Sequence, residues 1–135
     1  DDLGVIPAIR SYIRWMQQRS GKEISFRAEL PARRWEAEVE ATLFRFCQEA
    51  VAYSLNDPES RRVDVDLSEN RGVVLFVKDN RIREEHSLIL SEELLEIKER
   101  VEALGGSLHL TSVHGGGTCM RAWIPHGPNA ARVKP

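Results

Sequence analysis

A chain of 135 residues with a formal net charge of −2, 41% hydrophobic and 30% charged, has the size and make-up of one soluble globular domain with a single core. That charge balance gives no reason to expect nucleic acid as a partner, and no apolar run is long enough to span a bilayer or act as a signal peptide. Cys47 and Cys119 lack the spacing of a metal or redox site. Cys47 falls in an apolar helical stretch, which predicts a buried reduced thiol and, from it, a cytoplasmic setting. The start at Asp1 rather than Met marks the chain as an expected piece of a longer protein.

In chain order, Ile9, Tyr12, Ile13 and Met16 recur at helical spacing. Pro7 is tolerated only in a first turn, so this helix is expected to start near Val5 and to stop at Ser20-Gly21. Ile24, Phe26, Ala28 and Leu30 alternate with polar residues and predict a half-buried strand ending at Pro31. Glu36 to Leu55 carries the longest helical pattern, with Leu43, Phe46, Cys47, Ala50, Val51 and Ser54 on one face. Asn56-Asp57-Pro58 ends it, because proline disfavours helix at the residue before it.

Val63, Val65 and Leu67 alternate with Asp64, Asp66 and Ser68 in a second strand. The turn Glu69-Asn70-Arg71-Gly72 leads into Val73 to Val77, an apolar run that reads as a strand buried on both faces. These two strands are expected to form an antiparallel hairpin. The run ends in Lys78-Asp79-Asn80, where the chain leaves the sheet; a carboxylate there is suited to reading a ligand. Arg81 to Leu90 has no period and reads as loop. Ser91 followed by Glu92 and Glu93 predicts a helix start, and Leu94, Ile97, Val101 and Leu104 its buried stripe, closed by Gly105-Gly106. Ser107 to Val113 and Thr118 to Ile124 predict two strands, and residues 127–135 a disordered tail behind a domain spanning 1–126. Hairpins with helices to one side imply an α+β two-layer sandwich, a mixed and mostly antiparallel sheet of about five strands under three helices.

These elements carry a resemblance. Asp1-Asp2-Leu3-Gly4 with its helix, the helix Leu43 to Ala50, the segment Lys98 to Gly106 and the run Gly115-Gly116-Gly117-Thr118 resemble, in order, the ATP-binding domain of sensor histidine kinases of the nitrate-sensor and DesK type. The resemblance implies the Bergerat fold, shared with gyrase and Hsp90. It implies ATP or ADP with Mg²⁺ as ligand, and as partners the upstream dimerisation helices of a parent sensor and a response regulator. By the same resemblance Glu49 is the candidate catalytic base. Asp79, Tyr53, Asn56, Asn80, Gly115, Gly116, Gly117 and Thr118 are the candidate nucleotide contacts.

The chain departs from the family pattern at three places. Tyr53 stands where the family has the Asn that helps hold Mg²⁺; a phenol cannot supply the amide oxygen a hard cation prefers, and Asn56 lies one turn further on. Arg81 and Arg83 stand where glycines let the backbone approach the nucleotide. Ser91-Glu92-Glu93-Leu94 replaces the second glycine motif, and each carboxylate there would repel phosphate by about 1 kcal/mol. The expectation is a domain that folds but binds ATP weakly or not at all, a regulatory or interaction module. An active phosphotransferase domain with an atypical lid is the alternative.

Each candidate has a plainer reading. Asp79 caps a turn, Glu49 is a solvated helix residue, and Gly115 to Gly117 form a hairpin turn. Arg81 and Arg83 belong to a solvated loop with Glu84 and Glu85. His86, His109, His114 and His126 lack metal-ligand spacing, and none resembles a phosphoacceptor histidine, so no autophosphorylation is expected from this chain alone. Trp15, Trp35 and Trp123 are expected at core edges, a contact with a neighbouring domain being the alternative.

Overall fold

Helical and alternating patterns can coexist in one core only if the helices share one face of the sheet. In the computed structural model of the chain they do. The structure describes residues 3–29, 32–80, 90–112 and 117–126. Its elements are α1 (Val5–Ser20), β1 (Glu23–Ala28), α2 (Ala37–Leu55), β2 (Arg62–Glu69), β3 (Gly72–Asp79), α3 (Glu92–Ala103), β4 (Ser107–Ser112) and β5 (Thr118–Pro125). The strands form a five-stranded sheet in the order β1-β2-β3-β5-β4. β1 runs parallel to β2 and every other pair is antiparallel. This is the α+β sandwich expected from the order of elements. The loop assigned to Arg81–Leu90 falls, except for Leu90, outside the described residues, as does the tail assigned to 127–135.

α2 lies between the other two helices and packs on β2, β3 and β5, while α1 lies toward β1 and α3 toward β4. The inner faces of the strands supply Val63, Val65, Leu67, Val73, Leu75, Val77, Leu108, Met120, Ala122 and Ile124. The helices meet them with Ile9, Ile13, Leu43, Phe46, Cys47, Ala50, Val51, Leu94, Ile97 and Val101. Each fully buried large apolar side chain contributes about 1.5–3 kcal/mol relative to exposure. The helix ends follow their local chemistry. Gly21 adopts the left-handed conformation (φ 70°) and its N–H donates to Gln17 O at 3.0 Å, ending α1. At the start of α2 the buried Glu40 carboxylate accepts from the Trp35 N–H (2.9 Å) and Arg34 Nε (3.1 Å), an acid placed at the positive end of the helix dipole.

The hairpin of β2 and β3 turns through Asn70 and Arg71, the latter at φ 56°. Gly72 is needed for a different reason than the turn: a Cβ there would collide with the Ile124 carbonyl of β5. The run Val73–Val77 departs in one respect from burial on both faces. Val73, Val74, Leu75 and Val77 are buried, but Phe76 is half-buried on the helix-free face, beside Lys78 Nζ at 5.8 Å. All three helices lie on the other side, so only neighbouring side chains such as Trp123, the register partner of Val74, cover this face.

Burial has a consequence for pH. It pushes the Cys47 thiol from 9.0 up to about 12. Burial, aided by the charges of Cys47 and Glu49, pushes the Tyr12 phenol from 10.0 up to about 12. Both pKa values are raised in the folded chain, so their contribution to stability is complete below about pH 9 and is lost as pH rises toward 12. The denaturation midpoint is therefore expected to fall with rising pH across that alkaline window, and Cys47→Ala to flatten the part of the slope that starts near 9.0.

Candidate functional site

The sheet topology brings several sequence-distant residues to one end of the sandwich. β3 finishes where β2 begins, since Asp79 is the register partner of Val63, and where β5 begins, since Asp79 also pairs with Thr118. α2 enters β2 through residues 56–61, so its C-terminal turn, with Tyr53 and Asn56, lies at this end. α3 leads into the start of β4, which pairs with the end of β5, so the N-terminus of α3 points back to the same end.

Asp79 is only 7% exposed. Its Oδ1 accepts the Thr118 N–H at 3.2 Å and its Oδ2 accepts the Thr118 hydroxyl at 2.7 Å. A carboxylate taken out of water needs such donors, because an unpaired buried charge is costly. Gly117 permits this closeness. It sits at φ 96°, and a Cβ there would strike the Asp79 carbonyl oxygen. Asn80 turns the other way: its Oδ1 accepts from the Arg61 and Arg62 amides at 3.1 and 3.3 Å, tying the exit of β3 to the entry of β2.

On α2, Glu49 and Tyr53 are both half-buried, and Tyr53 packs against the core cluster. Asn56 caps the helix in the right-handed conformation, its amide donating to Ala52 O at 3.0 Å, and its side chain is exposed. Gly115 and Gly116, like Arg81 and Arg83, lie outside the described residues. At the start of α3 the Ser91 hydroxyl accepts one of the first-turn amides, the Leu94 N–H, at 3.2 Å, and Glu92 and Glu93 stand exposed in the first turn. Among the described residues, no three His, Cys, Asp or Glu side chains converge on a point that could hold a metal ion.

One residue of this region was not legible in the sequence. Lys22 Nζ donates to Leu55 O (3.0 Å) and Asp57 O (2.9 Å), placing a cation at the C-terminal end of α2, whose own last turn carries no basic residue. No local pattern links positions 33 and 35 residues apart; only the packing of α1 and β1 beside α2 brings them together. The three tryptophans divide. Trp35 is half-buried against the core, Trp123 donates its indole N–H to Asn70 O at 2.9 Å, and Trp15 remains 52% exposed.

The Asp79–Thr118 pair gives a direct test. Thr118→Val keeps the shape but removes the hydroxyl donor from a buried carboxylate, and is expected to cost about 1–3 kcal/mol in denaturant unfolding. Thr118→Ser, which keeps the donor, is expected to lose distinctly less.

No protein-family model matches the chain. Similar proteins nonetheless share its pattern. It is 34% identical to the signal transduction histidine-protein kinase/phosphatase DegS of Bacillus subtilis, over 93% of this chain and 35% of that protein. It is 26% identical to the oxygen sensor histidine kinase NreB of Staphylococcus carnosus, over 93% of this chain and 37% of that protein. The chain thus spans about a third of the length of these relatives. In structure it resembles the histidine kinase domain of a blue-light activated histidine kinase from Erythrobacter litoralis, with a TM-score of 0.75 at 17% identity over 90% of this chain and 61% of that one. It also resembles the catalytic domain of histidine kinase ThkA, with a TM-score of 0.67 at 14% identity over 93% and 92% of the two chains. The structural likenesses establish the fold, and the sequence relatives align over nearly the whole of this chain. The chain belongs with the ATP-binding domains of sensor histidine kinases.

Proposed function

We propose that this domain keeps the architecture of a histidine-kinase ATP-binding domain but binds nucleotide weakly or not at all, and that it acts as a regulatory and interaction module of a two-component sensor. The observation that carries this reading is the start of α3. A helix N-terminus receives phosphate through unpaired N–H groups and its positive dipole end. Here the Leu94 N–H is already taken by Ser91, and the first turn presents Glu92 and Glu93. An anion approaching that end meets two carboxylates and one fewer main-chain donor.

The donor set for Mg²⁺ supports the same reading. Tyr53 stands on α2 where an amide oxygen would be needed, and Asn56, one turn on, is the exposed cap of the helix. A half-buried phenol and a residue at a different height on the helix do not fit a hard, octahedral cation. In the sequence, Arg81 and Arg83 stand where the family pattern has glycines, the residue that lets a backbone approach a ligand closely. The partners that fit such a module are the dimerisation helices of the parent sensor and a response regulator.

The active reading, with an atypical lid, rests on Asp79. Its carboxylate is held at the end of β3 by two donors from Thr118, an ordered group at the place where a ligand amine would be read. Calorimetric titration with Mg-ADP separates the two. The proposal expects no heat at micromolar protein; micromolar, Mg²⁺-dependent binding would overturn it in favour of the phosphotransferase. The variant Tyr53→Asn/Arg81→Gly/Arg83→Gly is expected to gain affinity beyond any single change. Unchanged affinity in the triple variant would shift the cause from these positions to the lid.

A further inference from the structure

The outer surface of the helical layer carries two opposite charge fields, each with one large apolar residue left in solvent. α1 bears Arg10, Arg14 and Arg19 and no acid, and on its outer side Trp15 is 52% exposed, with the Arg19 guanidinium 4.7 Å from its ring. α3 bears five glutamates against Lys98 and Arg100, and on its outer side Leu95 is 47% exposed. Helical spacing places Glu92, Glu99 and Glu102 around Leu95, three and four residues before and after it or one further turn along. Among the described residues the one ion pair on α3 is Lys98 to Glu102 at 3.2 Å. Single exposed apolar residues are ordinary on a surface. Two of them, each ringed by charge of opposite sign, on the two helices that flank α2, are a complementary pair.

We infer that the helical layer is a self-complementary surface whose partner is a second copy of this chain, with α1 of each copy seated against α3 of the other. α1 and α3 each lie beside α2, on opposite sides of it. A twofold axis running along α2 therefore sets α1 against the partner's α3 and α3 against the partner's α1, the same contact made twice, as a closed dimer requires. α1 runs toward the Asp79 end of the sandwich and α3 away from it, so the paired helices are antiparallel. Trp15 and Leu95 then leave water together, while arginine meets glutamate at the rim and sets the register. The exposed positions of α2 are Ala37, Glu38, Ala41, Arg45 and Ala52; the three alanines leave room for the flanking helices to meet, and Glu38 and Arg45 place one charge of each sign along the axis. A standard interface takes about 800 Å² from each partner, roughly a tenth of the 8210 Å² surface of this chain.

The experiment is sedimentation velocity on the full 135-residue chain at low and high salt. The unaltered chain is expected to dimerise at low salt and to dissociate as salt rises. Arg14→Glu/Arg19→Glu and Glu96→Lys/Glu99→Lys are each expected to weaken the dimer by about tenfold or more. The two variants mixed in equal amounts are expected to recover it as a one-to-one heterodimer, because every α1–α3 contact is again of opposite sign. These side chains are exposed, so circular dichroism melts should match the unaltered chain; Trp15→Ala, which leaves all charges in place, should weaken the dimer independently. An unaltered chain that stays monomeric at about 1 mM in low salt, or variants that remain monomers when mixed, would overturn the inference. The latter result would leave the face to a different partner.

Discussion

The pairing of β3 with β5 is the constraint on which the rest of the molecule depends. It closes the centre of the sheet, brings a late strand back between two earlier elements, and leaves β4 at the edge. Its last register pair, Asp79 with Thr118, is also its most polar buried one, bonded through both side chain and main chain. Gly72 at one end of β3 and Gly117 at the start of β5 mark how closely the two strands approach, since neither position has room for a Cβ. A carboxylate can stand at the end of a buried strand here because the neighbouring strand supplies its donors.

That constraint explains the division between scaffold and site. The scaffold depends on apolar stripes that tolerate many sequences, and it matches histidine kinase domains at TM-scores of 0.75 and 0.67 with little identity. The site depends on individual atoms at one end of the sandwich. There several described residues serve one another: Thr118 serves Asp79, Asn80 serves Arg61 and Arg62, Ser91 serves Leu94, and Lys22 serves the Leu55 carbonyl that ends α2, while the buried Ser54 and Ser60 hydroxyls find no partner among the described residues. A binding site needs polar groups held in reserve for a ligand, and among the described residues only part of the polar set at this end is committed internally.

The helical layer shows the converse. Its inner face is saturated by the core, while its outer face separates positive charge on α1 from negative charge on α3. Neither field is needed to hold the sheet and helices together. Fold-level constraints therefore leave this surface free to carry recognition.

Periodicity, punctuated by turn, cap and proline residues, determined the order and type of every described element, the buried stripe of α2 and, except for the half-buried Leu104, that of α3, the hairpin of β2 and β3, and the buried thiol at Cys47. Those features follow from which residues avoid water, and that is written locally at spacings of two or of three and four. Tertiary structure decided the neighbours: β1 parallel to β2, β5 inserted between β3 and β4, Asn80 turned toward β2, Lys22 closing α2, and the half-exposure of Phe76. A hydrophobic pattern states that a face is buried but not what covers it, and a hydrogen-bond donor supplied from 39 residues away, as Thr118 is to Asp79, leaves no trace in the local sequence.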